Sequence, residues 1–136
     1  MRFNRPRLIR RRSPISGWGV YTASPIAEDT PIVEYKGQLV SQAEAWRREQ
    51  RYLPRQRIWI FDINTRWARD AGFGGNIARY INHACHPNCY IEVVHHSIWI
   101  LASREIKRGE ELTYDYNTHG SAGIRCLCRP RCKRVL

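Results

Sequence analysis

Three short segments of this 136-residue chain carry residue types that do chemistry. The first is Cys126-Leu127-Cys128-Arg129-Pro130-Arg131-Cys132, which holds three of the five cysteines. Thiols at that density read as metal ligation before disulfides, because Cys-x-Cys is awkward to bridge and the total is odd. Tetrahedral zinc takes four ligands, so the tail leaves one position to be filled from elsewhere. The second segment is Arg79-Tyr80-Ile81-Asn82-His83-Ala84-Cys85-His86-Pro87-Asn88-Cys89, and the third is Glu110-Glu111-Leu112-Thr113-Tyr114-Asp115-Tyr116-Asn117. Alone, an Asn-His pair reads as a satisfied turn and a Tyr-x-Tyr as packed strand residues. Their order and spacing carry the weight.

The elements that must position these residues are short. Ser13-Pro14-Ile15-Ser16-Gly17-Trp18-Gly19 reads as a glycine-punctuated turn into a strand, Trp18 to Thr22. Thr30 to Tyr35 alternates and is β-branched, and Ile58 to Ile63 reads as a buried strand. Ser41-Gln42-Ala43-Glu44 has the form of a capping box and opens a helix from about Ser41 to Arg51, with Pro54 ending any continuation. Asn76 to Ile81 fits one helical turn. Tyr90 to Val94 and Ile98 to Ala102 form a hairpin about His95-His96-Ser97, and Lys107 to Glu110 is a turn. Many short strands with one clear helix make a β-rich α+β domain.

Composition sets the outer bounds. The length fits one domain with a modest core, and the apolar content with five Trp argues against disorder. No run of about 18 apolar residues exists, which excludes a membrane-spanning helix. The first residues lack a secretory h-region, so an intracellular chain is expected. The net charge of +11 is unevenly placed. Residues 1–12 hold six Arg and residues 125–134 five basic groups, with no acid in either. The remaining 12 basic residues match the 12 acids of the body. Basic ends on a neutral body suit contact with a polyanion, or are simply solvated. His86, His95, His96 and His119 fall in turns and take no metal role, and Cys89 reads as a buried small residue.

Taken together, the Asn-His and Tyr-x-Tyr segments resemble the signature motifs of the SET-domain protein lysine methyltransferases. Gly17-Trp18-Gly19-Val20, Ile32 to Gly37, Gly75 to Tyr80 and the Cys-x-Cys-x3-Cys tail also resemble family elements in the same order. The similarity runs from Ser13 to the C-terminus and looks nearest to the trithorax-like, post-SET-bearing branch. It implies the SET-domain fold of small curved sheets with a pseudoknot, plus a zinc-bound post-SET segment. The expected division is an Arg-rich arm at 1–12, a SET domain at 13–119 and the post-SET segment at 120–136.

The resemblance also implies the site. S-adenosylmethionine would be held by Ser16, Gly17, Trp18, Gly19, Trp59, Arg79, Asn82, His83 and Leu127. Tyr116 matches the catalytic tyrosine. Tyr114 matches a position where a hydroxyl crowds an already methylated amine, implying mainly mono- and dimethylation. Zn would be bound by Cys85, Cys126, Cys128 and Cys132, the fourth ligand coming from the Asn-His motif. Trp59 stands where related enzymes usually carry Tyr, Ala84 stands where Ser is common, and the spacing from Cys128 to Cys132 is one residue short.

The implied substrate is a lysine of a histone or another basic protein, with nucleic acid contact through the Arg-rich ends, no membrane, and a monomer. Twenty Arg against three Lys points to a GC-rich bacterial genome. Location is then cytoplasm or nucleoid in a bacterium, nucleus or chromatin in a eukaryote, or a host cell for an exported effector. Two rivals stand beside this reading: a non-catalytic zinc-containing nucleic-acid-binding module, and a degenerate SET scaffold. Neither requires Asn82, His83, Tyr114 and Tyr116 together.

Overall fold

The computed structural model describes residues 5–136. In chain order its strands are β1 (Leu8–Arg12), β2 (Trp18–Thr22), β3 (Pro31–Glu34), β4 (Gln38–Ser41), β5 (Ile60–Asp62), β6 (Trp67–Asp70), β7 (Asn82–His83), β8 (Cys89–Val94), β9 (Ser97–Ala102) and β10 (Thr113–Tyr114). One α-helix, α1 (Gln42–Tyr52), follows β4. Short 3-10 turns occupy Leu53–Arg55 and Ile77–Tyr80. The strands form four small sheets, β1-β2, β3-β9-β8, β4-β6-β5 and the parallel pair β10-β7. This is the strand-rich, single-helix fold expected. No helix among the described residues is long and apolar enough to cross a membrane.

Each sheet buries one face, and the faces meet in one core. Val20, Ile32, Ile81, Ile98, Ile100, Ile106 and Leu112 are all essentially inaccessible. Ile98, Ile100 and Ala102 alternate along β9, the central strand of its sheet, as a half-buried strand must. The β8-β9 hairpin closes with Val94 opposite Ser97, so its turn is the two residues His95 and His96, with His95 left-handed at φ 55°.

Helix α1 starts where the capping pattern places it. The Ser41 side chain accepts the Glu44 N–H at 3.2 Å. Only half of the box forms, because the Glu44 carboxylate turns to Arg47 and Arg48. The helix ends at Tyr52, yet Pro54 does not stop the chain winding: its missing N–H fits the first turn of a 3-10 segment, which Gln56 terminates at φ 60°.

Other expectations are corrected. The strand read over Ile58–Ile63 shrinks to Ile60–Asp62 and is half-buried, because its apolar side chains face cavities as well as core. Most of the described part of the Arg-rich segment is strand β1, with Leu8 opposite Thr22 and Arg12 opposite Trp18. Arg2 lies outside the described residues.

The β4-β6-β5 sheet is anchored to α1 by a buried charge. Asp70 is fully buried and accepts from the Arg48 guanidinium, the Tyr52 hydroxyl and the Gly72 N–H, each at 2.8 Å. Truncation leaves the mostly buried Arg48 without its main counter-charge, a loss of about 3–5 kcal/mol when a buried pair is broken on one side. Asp70→Ala is expected to lower the urea midpoint accordingly; an unchanged midpoint would remove this pair from the account of the fold.

Candidate active site and metal centre

Two cavities share a wall made of Arg57, Ile58, Trp59 and Tyr116. The first, about 330 Å³, is bordered by Ser16, Gly17, Trp18, Arg79, Asn82 and Leu127. The second, about 620 Å³, is bordered by Tyr35, Phe61, Tyr114 and Thr118, with Glu49 and Asp62 also on its wall.

Tyr116 belongs to both because it is fixed at both ends. Its backbone N–H donates to His83 Nδ1 at 3.0 Å, and its hydroxyl donates to the Ile81 carbonyl at 2.5 Å. The parallel register, Thr113 beside Asn82 and Tyr114 beside His83, delivers Tyr116 to this place. Burial pushes the Tyr116 phenol well above its ordinary value, with the Glu111 charge adding to the effect. Tyr35 and Tyr114 are likewise raised by burial. All three phenols are neutral near pH 7. They can orient and hydrogen-bond a ligand but do not serve as bases.

His83 lines the first cavity and is buried, with its ring committed inward. Nδ1 takes the Tyr116 N–H, which leaves the ring proton on Nε2, and Nε2 faces Cys85 Sγ at 3.7 Å. Burial lowers its pKa, in keeping with a neutral ring. Asn82 Nδ2 lies within 3.0–3.1 Å of the Ser16 carbonyl, the Trp18 carbonyl and Glu111 Oε2. The amide therefore ties the glycine-rich loop to β7.

Glu111 completes that tie and was not singled out from sequence. It accepts the Ser13 hydroxyl at 2.7 and 2.8 Å and the Tyr21 hydroxyl at 3.2 Å. Gly17 sits at φ +46° with open space where a Cβ would be, so the left-handed backbone is its need. Gly19 differs from expectation. It is not on the cavity wall; a Cβ there would lie 2.4 Å from Glu111 Oε2. Its smallness allows the close approach of that carboxylate.

Trp59 keeps the aromatic wall despite replacing the usual Tyr. Its carbonyl accepts the Tyr35 hydroxyl at 2.7 Å and the Ala71 N–H at 3.1 Å. Arg57 and Arg79 lie over its ring at 4.7 and 5.0 Å. Tyr35 and Glu49, also unforeseen, line the second cavity. Glu49 lies one helical turn after the buried Ala45, on the inward side of α1, yet a charge in a short helix usually reads as plain surface. Burial, then the Asp62 charge, raises its pKa. Thr118 Oγ1 is buried there without a partner. Asn88 was also missed. It is buried and knits the motif together, donating to the Glu111 carbonyl at 2.8 Å and accepting the Thr113 N–H at 2.9 Å.

Four thiols converge beside this wall. Cys85, Cys126, Cys128 and Cys132 place their sulfurs within 4.8 Å of one another, with Cys85 at 3.8 Å from both Cys126 and Cys132. A tetrahedron with metal–sulfur bonds of about 2.3 Å has edges of about 3.8 Å, whereas a disulfide needs about 2.05 Å. The spacing fits a shared metal. A backbone hydrogen bond from Arg134 leads in lowering the Cys132 thiol to about 7, which favours the thiolate a metal requires. The shortened Cys128-to-Cys132 loop closes through Cys132 N–H to the Arg129 carbonyl at 3.2 Å, with Arg131 left-handed at φ 64°. The tail packs Cys126, Cys132 and Leu136 against Ile58 and Tyr116. Cys89 stays outside the cluster, its thiol pushed up to about 12 by burial.

The sequence pattern of the SET domain matches residues 17–117. Among curated relatives, histone-lysine N-methyltransferase set1 of Dictyostelium discoideum is 36% identical over all of this chain and 10% of its own length. The H3 lysine-4 specific histone-lysine N-methyltransferase of Yarrowia lipolytica is 42% identical over 92% of this chain and 12% of its own length. Histone-lysine N-methyltransferase 2D of Homo sapiens is 46% identical over 77% of this chain and 2% of its own length. The chain thus spans only a small fraction of these relatives. The match of pattern and relatives across a domain whose two cavities meet at a doubly anchored tyrosine places this chain in the SET-domain family.

Proposed function

We propose that the chain is a protein-lysine N-methyltransferase domain that uses S-adenosylmethionine and acts on a lysine of a histone or histone-like protein. The observation that carries this reading is the shared wall: one cavity for a donor, one for an acceptor, and Tyr116 facing both. The relatives' names support the substrate class, and a histone acceptor implies work at chromatin. The nucleic-acid module offers no use for such a wall. In this reading the chain divides into an Arg-rich segment at 1–12, a SET body at 13–119 and a metal-held tail at 120–136.

The donor supplies an electrophilic methyl on a sulfonium, and the chain's residues do the rest. Ser16, Gly17, Asn82, Arg79 and Leu127 border the donor cavity, while Trp59 and Tyr116 separate it from the acceptor. An attacking lysine must lose its proton, yet a free lysine has a pKa of about 10.4. Desolvation between Tyr35, Phe61 and Tyr114 lowers that value, and so does a nearby positive charge. Tyr116 then orients the amine. Alignment and loss of water, not proton abstraction by a phenol, are the chain's contribution.

Glu49 and Asp62 answer the charge problem of a basic enzyme meeting a basic tail. Both line the acceptor cavity and present carboxylates to an incoming cationic segment. Zinc held by Cys85, Cys126, Cys128 and Cys132 would clip the tail, keeping Leu127 on the donor cavity and Leu136 in the packing against Tyr116. A hydroxyl at Tyr114, with the unpartnered Thr118 nearby on the same cavity, can retain a water where a further methyl would go. That arrangement favours mono- and dimethylation.

Radiolabelled methyl transfer to a panel of histones and other basic proteins tests the assignment, paired with calorimetric titration of the donor. Wild-type chain is expected to bind donor and label a histone; binding without transfer to any acceptor would reduce it to a scaffold. Tyr116→Phe is expected to lower kcat on the order of 10²-fold with donor affinity kept. Tyr114→Phe should raise the share of trimethyl-lysine in mass spectra of the product, and a wild-type product already mainly trimethylated would contradict the assigned role. Chelation should release one zinc per chain, lower Tm and weaken donor binding as Leu127 leaves the cavity; a metal-free protein with the same Tm would refute the clip.

A further inference from the structure

Cations and aromatic rings alternate along one face of the molecule. Arg12 lies 4.3 Å from the centre of the Trp18 ring, and Arg10 lies 4.5 Å from that ring and 4.8 Å from Tyr80. Arg79 follows at 4.8 Å from Tyr80 and 5.0 Å from Trp59, and Arg57 closes the series at 4.7 Å from Trp59. Every step is within cation–π range. The ladder therefore runs from β1 across β2 and the 3-10 turn at Ile77–Tyr80 to the segment before β5.

Strand pairing explains how it forms. The β1-β2 register sets Arg12 opposite Trp18 and Arg10 opposite Val20, and the period of two sends Arg10, Arg12 and Trp18 to one face of the ribbon. Arg11, Gly19 and Tyr21 go to the other face, where Arg11 approaches the Tyr21 ring and Glu111 lies. The Glu111 carboxylate, hydrogen-bonded to this ribbon through Tyr21, is thus on the opposite side. Among the described residues, none of Arg10, Arg12, Arg57 and Arg79 belongs to an ion pair. Arg10, Arg12 and Arg57 are exposed, and Trp18 is 38% exposed.

Four guanidiniums in a row repel one another. Ring quadrupoles offset only part of that repulsion and supply no counter-charge. We propose that this ladder is a nucleic-acid-binding strip whose guanidiniums grip the phosphodiester backbone of a strand. The chemistry selects that occupant. A nucleic-acid strand brings one charge per nucleotide at regular intervals, a guanidinium fork takes phosphate oxygens bidentately, and the exposed Trp18 ring offers a base a stacking surface. An acidic protein segment has irregular charge and nothing to stack. Trp18, Arg57, Trp59, Arg79 and Tyr80 also line the first cavity, so the strip runs past its mouth, whereas Arg10 and Arg12 lie outside its wall and carry the test, which is run without a donor.

Fluorescence anisotropy of the full chain with a labelled 15-nucleotide single-stranded RNA and a duplex DNA of equal length, over a salt series, tests it. Binding to either is expected, with Arg10→Gln/Arg12→Gln weakening it about tenfold or more. For the single strand, the slope of log K against log salt should fall by about 1.4 for two lost contacts. Arg10→Lys/Arg12→Lys should keep the slope and still bind more weakly, because charge stays and ring stacking goes. Matched circular dichroism and Tm of the variants guard against unfolding. Three results would overturn the proposal: no binding to either oligonucleotide, equal binding by wild type and the Gln variant with loss in Arg129→Gln/Arg131→Gln instead, or a Lys variant indistinguishable from wild type. Displacement of the RNA by poly-glutamate at equal charge would also overturn it, in favour of an acidic protein partner.

Discussion

The hydrogen bond from the Tyr116 N–H to His83 Nδ1 is the contact on which the site depends. It spans 33 residues of sequence and joins two segments that have no local reason to meet. A neutral imidazole is required, since a protonated ring has no lone pair to accept with. Burial of His83 favours that form. The same ring turns its other nitrogen toward Cys85, so the tyrosine, the histidine and the sulfur cluster form one continuous arrangement. The two cavities and the tail are three neighbours of a single side chain.

Around that centre, three carboxylates lose solvent where several donors converge. Asp70 takes three hydrogen bonds and locks α1 to its sheet. Glu111 takes donors from Ser13, Tyr21 and Asn82 and fixes the loop beside the smaller of the two cavities. Asp115 loses solvation, which raises its pKa, but the Asn117 N–H and the Arg134 guanidinium hold it below the usual carboxylate range. Arg134 is therefore spent inside the molecule, while the ladder arginines, among the described residues, belong to no ion pair. The two basic ends of the chain are unlike in use: one pins the tail, the other paves a face.

Periodicity and turn chemistry made β2, β3, α1 and the β8-β9 hairpin legible, because each carries a local signal: alternation, a capping serine, a polar two-residue turn. β4 and β6 escaped because Gln38–Ser41 and Trp67–Asp70 mix buried and polar residues, and the buried Asp70 reads as surface until Arg48 and Tyr52 are seen around it. β1 escaped because arginines that stack on rings look like a solvated run. The resemblance named the cavity residues and the four cysteines together, including Cys85, which no local rule attaches to a distant tail. It gave no hint that the neighbour of Gly19 is a carboxylate. Glu111, Asn88 and Glu49 act through groups far away in sequence, and no window of residues reveals that.

The pairing of β7 with β10 is only two residues long, and neither strand has another neighbour in a sheet. Contacts so brief between segments so distant cannot persist unless the surrounding elements already hold both ends in place. The arrangement around Tyr116 is therefore all-or-none: loosen any of the elements that frame it, and the pairing is lost whole rather than by degrees.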